Sequence, residues 1–356
     1  MNKILHVAIV GCGSISHSHT QSYQKNPNIK IVACCDINLE RAKKYAKDYN
    51  IEHYYGSIDE MLKQEDIEAV SVCTWNNGHY ECTMKALKAK KHVLCEKPMA
   101  MDSKQAQEMA DEAKKQGVVL QVGFVKRFAK TTQTVQDFIK SDTFGDIYLM
   151  KATYTRRIGN PGGWFADKKR SGGGPLIDLG VHVIDLSRYL MGRPLPVSVY
   201  GATFNKLGDK NYIKGINRYH PADYDPNKDI CDVEDSAIAM IRFDNGSVLE
   251  VEASFTLNIK ESITKLEAFG TKGGAEVEPN LQIFKDVDDY MCNITPIIDN
   301  DDVFGVMFAN EINHFYDCIV NHAKCLAPAE DGVVLMKILD AIYESAKTGH
   351  EVVIKY

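Results

Sequence analysis

Residues 6–36, HVAIVGCGSISHSHTQSYQKNPNIKIVACCD, decide the fold of the N-terminal part of the chain. The apolar runs at the two ends of this stretch predict buried β-strands, and the residues between them predict a helix. Gly11 and Gly13 separate the first strand from the helix, and Asp36 closes the second strand. The order of strand, glycine turn, helix, strand and acidic residue matches a dinucleotide-binding βαβ unit in its predicted secondary structure as well as in its sequence motif.

The residues of this turn have separate physical tasks. Gly11 allows the tight turn, and Gly13 lets a pyrophosphate approach the backbone N–H groups at the start of the helix. Asp36, 23 residues after Gly13, is placed to accept from the adenosine ribose and to repel a 2′-phosphate, which favours NAD over NADP. Ser16 replaces the usual third glycine and predicts slightly looser packing of the helix. An ordinary βα turn whose glycines serve packing is the alternative interpretation.

The alternation of strands and helices continues as far as Phe124. Such βα repeats predict a doubly wound parallel sheet, whose ligands bind beyond the carboxyl ends of the strands. The predicted strands lie at 69–74, 92–96 and 118–124, and the predicted helices between them lie at 77–90 and 102–116.

Three polar clusters follow those strand ends and complete the predicted cofactor site. Lys97 precedes a proline, which favours an extended backbone at this position. Its ammonium could donate to a substrate oxygen, and a surface lysine at a strand end is the alternative. The predicted cofactor-binding residues are Gly11, Gly13, Ser14, Ile15, Asp36, Thr74, Asn76, His79, Glu96, Lys97 and Arg127.

After Phe124 the βα rhythm stops, so the sequence predicts two domains. Residues 1–124 would bind the nucleotide, and residues 125–356 would bind the substrate and make oligomer contacts. Two apolar runs around an Asp-Asn-Gly turn, 236–243 and 247–255, indicate an antiparallel hairpin in the second domain. The acidic stretch 286–302 lacks the spacing of an EF-hand and predicts a solvated loop. Two helices are predicted near the C-terminus, at 304–321 and 330–347.

Residues 172–186, GGGPLIDLGVHVIDL, predict an apolar helix with three polar residues on one face. Asp178, His182 and Asp185 follow the i, i+4, i+7 spacing that brings side chains together on a helix. A buried carboxylate and imidazole need partners, so one interpretation is a structural Asp178–His182 pair. The glycine run favours a ligand site instead, because bare backbone permits close approach of a ligand.

Cationic and aromatic residues of the second domain offer donors and flat apolar faces of the kind that a polyhydroxylated ring binds. Arg156 and Arg157 end a long predicted strand, and Trp164 and Lys168 lie in a glycine-rich loop. Trp164 could stack on a sugar ring, or it could fill the interface between the two domains. The segment 205–235 has no clear periodicity, which predicts a lid, a substrate loop or an oligomer contact. Its tyrosines are Tyr212, Tyr219 and Tyr224, and the predicted substrate residues are Lys97, Arg157, Trp164, Lys168, Asp178 and His182.

Bulk properties exclude several classes of protein. The 356 residues carry a formal net charge of −6, so the chain has no basic footprint for nucleic acid. No apolar run approaches the roughly 20 residues of a membrane span. His6 interrupts the N-terminal apolar run, which predicts a buried strand rather than a signal peptide. The ten cysteines contain no C-x-x-C pair, which predicts free thiols in a reducing cytoplasm and neither a disulfide framework nor a zinc site.

These motifs together resemble the glucose–fructose oxidoreductase / inositol dehydrogenase (Gfo/Idh/MocA) family. The resemblance covers nearly the whole chain. It implies an α/β fold, with an N-terminal Rossmann domain and a C-terminal α+β domain whose open, mostly antiparallel sheet commonly forms dimers or tetramers. The residues that carry it are Gly11-Cys12-Gly13, Asp36, Glu96-Lys97-Pro98 and Ser171-Gly172-Gly173-Gly174 through Asp178-Leu179-Gly180-Val181-His182.

The same resemblance implies an NAD-dependent reaction at a secondary hydroxyl of a sugar, an inositol or a glycoside. Its catalytic residues would be Lys97, Asp178 and His182, with Glu96 near the nicotinamide and a Lys97–Pro98 bond that is often cis. Hydride leaves a carbinol carbon only as the hydroxyl proton is lost, so a base must lie within about 3 Å of that oxygen. His182 can act as this base near neutral pH, Lys97 can stabilise the alkoxide, and Asp178 can orient the imidazole or hold a second hydroxyl.

Two other functions remain open at this point. A glycosidase that uses tightly held NAD for transient oxidation is known on related folds, but such relatives tend to lack the lysine that Lys97 supplies. A non-catalytic nucleotide sensor that binds a partner protein has no need of Lys97, Asp178 and His182 together. Detection of free NADH after substrate addition separates a dehydrogenase from the glycosidase.

Overall fold

The computed structural model describes residues 3–208, 210, 213–215, 219–298 and 304–356. Its strands are β1 (Leu5–Val10), β2 (Ile29–Cys35), β3 (His53–Tyr55), β4 (Ala69–Val72), β5 (His92–Cys95), β6 (Leu120–Val122), β7 (Ile147–Thr155), β8 (Pro196–Phe204), β9 (Ser236–Phe243), β10 (Val248–Ser254), β11 (Ile263–Gly270), β12 (Gly274–Glu278), β13 (Gln282–Val287), β14 (Tyr290–Ile294) and β15 (Val352–Val353). Its α-helices are α1 (Ser14–Lys25), α2 (Leu39–Tyr49), α3 (Ile58–Met61), α4 (Asn76–Lys88), α5 (Ser103–Gln116), α6 (Lys130–Lys140), α7 (Lys168–Ser171), α8 (Val181–Leu190), α9 (Phe304–Val320) and α10 (Ala329–Thr348).

The chain forms two compact units, each assembled from two separate stretches of sequence. The first unit comprises the described residues of Met1–Ala129 and Asp302–Met336. The second comprises those of Lys130–Asp301 and Lys337–Tyr356. Each unit therefore takes a part of the C-terminal region that the sequence analysis assigned as a whole to the second domain.

The first unit contains a parallel sheet. Six strands of the described chain lie in the order β3-β2-β1-β4-β5-β6, and each neighbouring pair is parallel. The strand order runs outward in both directions from β1, as in a doubly wound sheet. The predicted Rossmann fold is therefore confirmed, including β1 as a buried strand and the bounds of β2 at Ile29–Cys35.

Apolar burial explains why α9 belongs to the first unit. Ile312, Phe315 and Ile319 of α9 lie in the same buried cluster as Leu5 of β1 and Tyr23 of α1. Burial of one large apolar side chain stabilises a fold by about 1.5–3 kcal/mol. The predicted helix 304–321 thus completes the core of the Rossmann unit, which a linear division of the sequence at residue 124 does not show.

The second unit contains an open sheet. Nine strands of its described residues lie in the order β14-β13-β12-β11-β7-β10-β9-β8-β15. The β7–β10 pair is parallel, and the other neighbouring pairs are antiparallel. The expected α+β architecture with a mostly antiparallel sheet is therefore confirmed, and so is the hairpin of β9 and β10.

The prediction of a solvated loop over 286–302 is wrong for the first part of that stretch. Strands β13 and β14 pair as a hairpin. Asp288 and Asp289 form its turn at positive φ, 50° and 65°, a conformation that aspartate tolerates better than most residues. The acidic residues at the start of this stretch therefore belong to the turn of a hairpin. Residues 299–303 lie outside the described range.

Two further observations concern the described chain as a whole. Among the described residues, no helix has both the length and the apolar character needed to cross a membrane. All ten cysteines are described, and all are free thiols.

Candidate active site

The two glycines after β1 differ in what they allow. Gly11 has a φ of +88°, and a Cβ on it would lie 2.7 Å from the carbonyl oxygen of Cys73. A Cβ on Gly13 would meet no atom within 4 Å. Gly11 therefore serves the fold of the turn, whereas Gly13 keeps open a surface that a ligand can approach closely.

Helix α1 begins at that open surface. Gly13 is its N-cap residue, and among the described residues no side chain caps the helix there. Backbone N–H groups and the helix dipole at such an end favour a phosphate. Ser14 is exposed and Ile15 is half-buried beside the turn. Ser16 is fully buried, and its hydroxyl donates to the Gly13 carbonyl at 2.6 Å, so the position of the usual third glycine is filled by a bonded side chain.

Asp36, directly after β2, is anchored to the glycine turn. Its Oδ2 accepts from the Cys12 N–H at 2.9 Å, and its Oδ1 accepts from the Asn38 N–H at 2.8 Å. The Arg41 guanidinium lies 3.6 Å from Oδ2. Each carboxylate oxygen can accept a second hydrogen bond, so ribose hydroxyls could still bind there. The open Gly13 and the fixed Asp36 together fit an adenine dinucleotide.

Glu96, at the carboxyl end of β5, is held by a buried hydrogen-bond chain. Its Oε1 lies 2.7 Å from Nε2 of His19, and Nδ1 of His19 lies 3.2 Å from the Ser71 hydroxyl. Burial acts to raise the pKa of Glu96, but the His19 hydrogen bond and the charges of His19 and Lys97 hold it below its usual value. His19 was not among the site residues predicted from the sequence. Its signal is the i, i+3 spacing from Ser16, which places both polar residues on the buried face of α1.

Lys97 follows in a segment whose backbone is fixed by its neighbours. Its N–H donates to Glu96 Oε2 at 3.2 Å, and the Lys97–Pro98 peptide bond is cis. The ring of His79 lies between the Pro98 carbonyl, 2.7 Å from Nδ1, and the Thr74 carbonyl, 3.1 Å from Nε2. Burial lowers the pKa of His79. His79 therefore ties the Lys97 segment to the end of β4, a positioning role that differs from the predicted direct contact with cofactor.

Arg127 lies in a buried ion pair. Its Nη1 donates to Asp331 Oδ2 at 2.7 Å and to the Leu326 carbonyl at 2.5 Å, and the guanidinium lies 4.8 Å from the centroid of the Phe124 ring. The side chain is fully buried. These contacts use the guanidinium to anchor the C-terminal stretch of the first unit to the end of the parallel sheet. We therefore leave Arg127 out of the cofactor-binding residues proposed below.

The segment that carries Asp178 and His182 is helical but is not one continuous α-helix. A π-helical turn, Leu176–Gly180, precedes α8, and such turns are frequent at functional sites. Over residues 173–188, all of which are described, every residue except Asp178 and His182 is buried. The segment therefore presents one carboxyl and one imidazole at the surface. Asp185, predicted on the same face, is buried.

The glycines before this turn make room for protein atoms, which corrects the prediction that they admit a ligand. A Cβ on Gly173 would overlap the Tyr343 hydroxyl, and a Cβ on Gly174 would overlap the Glu234 carbonyl oxygen. The Tyr343 hydroxyl donates to Glu234 Oε1 at 2.8 Å, and the Leu176 N–H reaches the same oxygen at 3.3 Å. Burial raises the pKa of Glu234. Glu234 and Tyr343 both support the π-helical turn. They lie so far from it in the sequence that no local pattern could identify them.

The predicted cationic and aromatic residues of the substrate site each contact another residue of the second unit. Arg157 is exposed, and its Nη1 donates to the Lys260 carbonyl at 3.1 Å. The Trp164 ring stacks on Phe165 with centroids 3.9 Å apart. Arg156 donates to the Gly159 carbonyl at 3.2 Å. The Nζ of Lys168 lies 5.8 Å from the centroid of the Tyr343 ring.

The described residues between β8 and β9 form no strand or helix, in agreement with the sequence. They pack on the loop that carries Trp164. Arg170 pairs with Asp223 at 2.5 Å, and the Gly163 N–H donates to Asp229 at 2.6 Å. Of the three tyrosines, Tyr219 meets the Phe165 ring edge-on and Tyr224 stacks on His220, whereas Tyr212 lies outside the described residues.

Two family models match successive parts of the chain. A model described as an oxidoreductase family with an NAD-binding Rossmann fold matches residues 5–124. The GFO/IDH/MocA C-terminal domain matches residues 132–276.

Curated relatives and solved structures are similar over most of their length. D-glucoside 3-dehydrogenase of Escherichia coli K12 is 36% identical over 98% of this chain and 97% of its own. Myo-inositol 2-dehydrogenase of Thermotoga maritima is 26% identical over 76% of this chain and 74% of its own. A levoglucosan dehydrogenase structure in complex with NADH superposes with a TM-score of 0.86 at 25% identity, and the match covers 99% of both chains.

Proposed function

Because the chain belongs to the Gfo/Idh/MocA family of NAD-binding oxidoreductases, we propose that it oxidises a secondary hydroxyl on the sugar of a glycoside. The 36% identity to D-glucoside 3-dehydrogenase across nearly the whole of both chains carries this proposal. Structures of levoglucosan dehydrogenase with levoglucosan and with L-sorbose, each 25% identical to this chain, add support for a sugar substrate. Inositols and free hexoses are the second choice.

Lys97, Asp178 and His182 have complementary tasks in this proposal. Bound NAD supplies the hydride acceptor. His182 takes the proton of the reacting hydroxyl as a general base, and Lys97 places a positive charge beside the oxygen as negative charge develops there. Asp178 orients the imidazole or holds a second hydroxyl. The partial exposure of Asp178 and His182 on an otherwise buried segment supports these roles, because a residue that touches substrate must be accessible.

The cofactor would be held by residues at the carboxyl ends of β1, β2, β4 and β5. The phosphates would approach the open Gly13 at the start of α1, and Asp36 would accept from the ribose. The residues that we propose are Gly11, Gly13, Ser14, Ile15, Asp36, Thr74, Asn76, Glu96 and Lys97. His79 contributes by fixing the Lys97 segment.

Arg157, Trp164 and Lys168 are proposed to bind the rest of the substrate. Two cations and an indole ring offer hydrogen-bond donors and a flat apolar face, which are the contacts that a sugar ring uses. The partial exposure of Trp164 and the exposure of both cations support this. We also expect the enzyme to act in a reducing cytoplasm, an expectation that its ten free thiols support.

The open face of the nine-stranded sheet is proposed to join copies of this chain into a dimer or tetramer. Tyr200, Ile238 and Met240 are about half exposed on neighbouring strands β8 and β9. Lys151 and Glu250 pair at 3.4 Å at the margin of this apolar patch. Exposed apolar patches rimmed by charges are typical of protein contacts.

A substrate screen tests the proposed function. The purified protein would be incubated with NAD and, separately, alkyl and aryl glucosides, levoglucosan, hexoses, inositols, 2-hydroxy acids and simple alcohols. We expect the highest kcat/KM with a glucoside, with one NADH formed per keto-glucoside. Activity confined to 2-hydroxy acids or simple alcohols contradicts the proposal. Glucoside cleavage without net NADH would assign the glycosidase reaction instead.

A further inference from the structure

We infer that His314, Cys318 and Cys325 form a binding site for a thiophilic divalent cation of the zinc class. The inference is independent of the proposed dehydrogenase activity, and it departs from the sequence prediction, which found no zinc-binding pattern. One nitrogen and two sulfur ligand atoms of these residues lie within 4.8 Å of one another. All three residues belong to the C-terminal stretch of the first unit.

The local fold brings the three ligands together. His314 and Cys318 are one turn apart on α9, so their side chains project from the same face. After α9 the chain reverses direction at His322, whose φ is +53°. The Ala323 N–H donates to the Asp317 carbonyl at 3.1 Å, which fixes the reversal and returns Cys325 to the face of Cys318.

The distance between His314 and Cys318 is close to that of two ligands in a tetrahedral metal site. His314 Nε2 and Cys318 Sγ are 3.3 Å apart. Zinc bonds of roughly 2.3 Å to sulfur and 2.0–2.1 Å to nitrogen would place two such atoms roughly 3.6 Å apart. The His314–Cys318 pair therefore needs a shift of a few tenths of an ångström to hold the ion, and Cys325 completes a set of ligand atoms that all lie within 4.8 Å of one another. Three protein ligands leave the fourth position for water.

Hydrogen bonds around the cluster suit metal ligands. The Leu326 N–H donates to His314 Nε2 at 2.9 Å, so this nitrogen is an acceptor, and a bound ion would take the place of the Leu326 donor. The Cys325 sulfur accepts a hydrogen bond from the Ala327 N–H. Backbone N–H donation of this kind stabilises a metal-bound thiolate.

Donor chemistry and access favour a zinc-class ion over calcium or magnesium. Two thiolates and an imidazole select soft or borderline cations, whereas calcium and magnesium require oxygen ligands. Cys318 is buried, but His314 and Cys325 are partly exposed, so an ion can enter from solvent. Binding would tie the 321–328 loop to α9, and binding from the dithiol form would release protons as the ion displaces them from sulfur.

The test uses the full-length protein, reduced and treated with a chelator, then titrated with Co²⁺ and, separately, with Zn²⁺. We expect one tightly bound ion per chain, a thiolate-to-cobalt charge-transfer band in the near ultraviolet, and a higher thermal unfolding midpoint with Zn²⁺. Cys325→Ser and His314→Gln should lose the stoichiometric binding and the band. Cys292→Ser, which removes a partly exposed thiol in the second unit, should keep both.

Several results would overturn the inference. They are the absence of stoichiometric Co²⁺ and Zn²⁺ binding in wild type, cobalt binding without a charge-transfer band, and equal binding by Cys325→Ser and wild type. Turnover of sugar is not a readout here, so failure of the metal site and failure of the proposed function are distinguishable.

Discussion

Asp36 is the residue on which cofactor choice depends. Its carboxylate is fixed beside the glycine turn by the Cys12 and Asn38 N–H groups, where a 2′-phosphate would meet a like charge. We therefore expect a higher kcat/KM with NAD than with NADP. Asp36→Ser should lower the ratio of kcat/KM with NAD to kcat/KM with NADP. The substitution removes the repulsion of the 2′-phosphate and leaves Arg41 nearby as a phosphate partner.

The control for this prediction is Asp48→Ser, which removes an exposed carboxylate paired with Lys44 on α2. It should leave the cofactor ratio unchanged. A native preference for NADP would contradict the account of Asp36.

Individual residues show where sequence reasoning succeeds. The positions of Gly11, Gly13 and Asp36 followed from a local βαβ pattern, since each sits at a strand end that apolar periodicity fixes. Arg127 also follows a strand of the Rossmann sheet, but its guanidinium pairs with Asp331, 204 residues away in sequence. No local pattern identifies such a partner, so the sequence predicted a cofactor contact for Arg127 and gave no sign of its buried ion pair.

At the scale of elements, two glycines next to helices provide a matched pair of tests. Gly13→Ala adds a methyl group to open space, so we expect a change in the free energy of unfolding within about 0.5 kcal/mol. The same methyl group would stand where the pyrophosphate must approach, so NAD affinity should fall roughly tenfold or more, about 1.4 kcal/mol. Denaturant unfolding and fluorescence titration with NAD measure the two quantities.

Gly174→Ala should give the opposite result. Its Cβ would overlap the Glu234 carbonyl oxygen, so the backbone at the π-helical turn must move, at a cost of about 2 kcal/mol in unfolding free energy. NAD affinity of the folded variant should be close to that of wild type. If Gly174→Ala is as stable as wild type, the close packing that we describe at this turn is wrong.

Elements were predictable where one period dominates and unpredictable where the backbone departs from it. Apolar alternation fixed the β9 and β10 hairpin. The π-helical turn at Leu176–Gly180 has the composition of an α-helix, and what defines it is tertiary support from Glu234 and Tyr343. Likewise, short strands with acidic residues, such as β13, pair because a neighbour is available and not because the sequence alone demands it.

At the scale of the whole molecule, the exposed sheet face predicts association between copies. Met240→Glu would place a charge within the apolar patch, and desolvating that charge in an interface is costly. We expect wild type to be a dimer or tetramer in light scattering and Met240→Glu to shift toward monomer. Ile4→Glu, an exposed apolar position in the first unit, should not shift it, and a monomeric wild type contradicts the interface.

The arrangement of the chain into two units was only partly visible in the sequence. The change of rhythm after Phe124 correctly separated parallel from antiparallel strands, because strand pairing in βα units is local. The return of α9 to the Rossmann core depends on contacts between Ile312 or Phe315 and side chains near residue 5. Contacts between positions so far apart follow from the fold and have no counterpart in local periodicity.

The central claim is that Lys97 and His182 act on the same reacting hydroxyl while leaving cofactor binding to other residues. The most direct test measures kcat with a glucoside, and the Kd of NAD, for Lys97→Ala, His182→Ala and the double variant in one preparation series. The wild-type oxidation rate should fall at low pH, because protonation of His182 removes the base. We predict that His182→Ala lowers kcat by a factor of about 10²–10⁴ and abolishes this fall. Lys97→Ala should lose a similar factor or more.

The double variant should lose far less than the product of the two single losses, because both groups serve one oxygen. The Kd of NAD should stay near the wild-type value in all three proteins. A folded His182→Ala protein with near-native kcat contradicts the claim, and Asp178 and His182 would then be a structural pair.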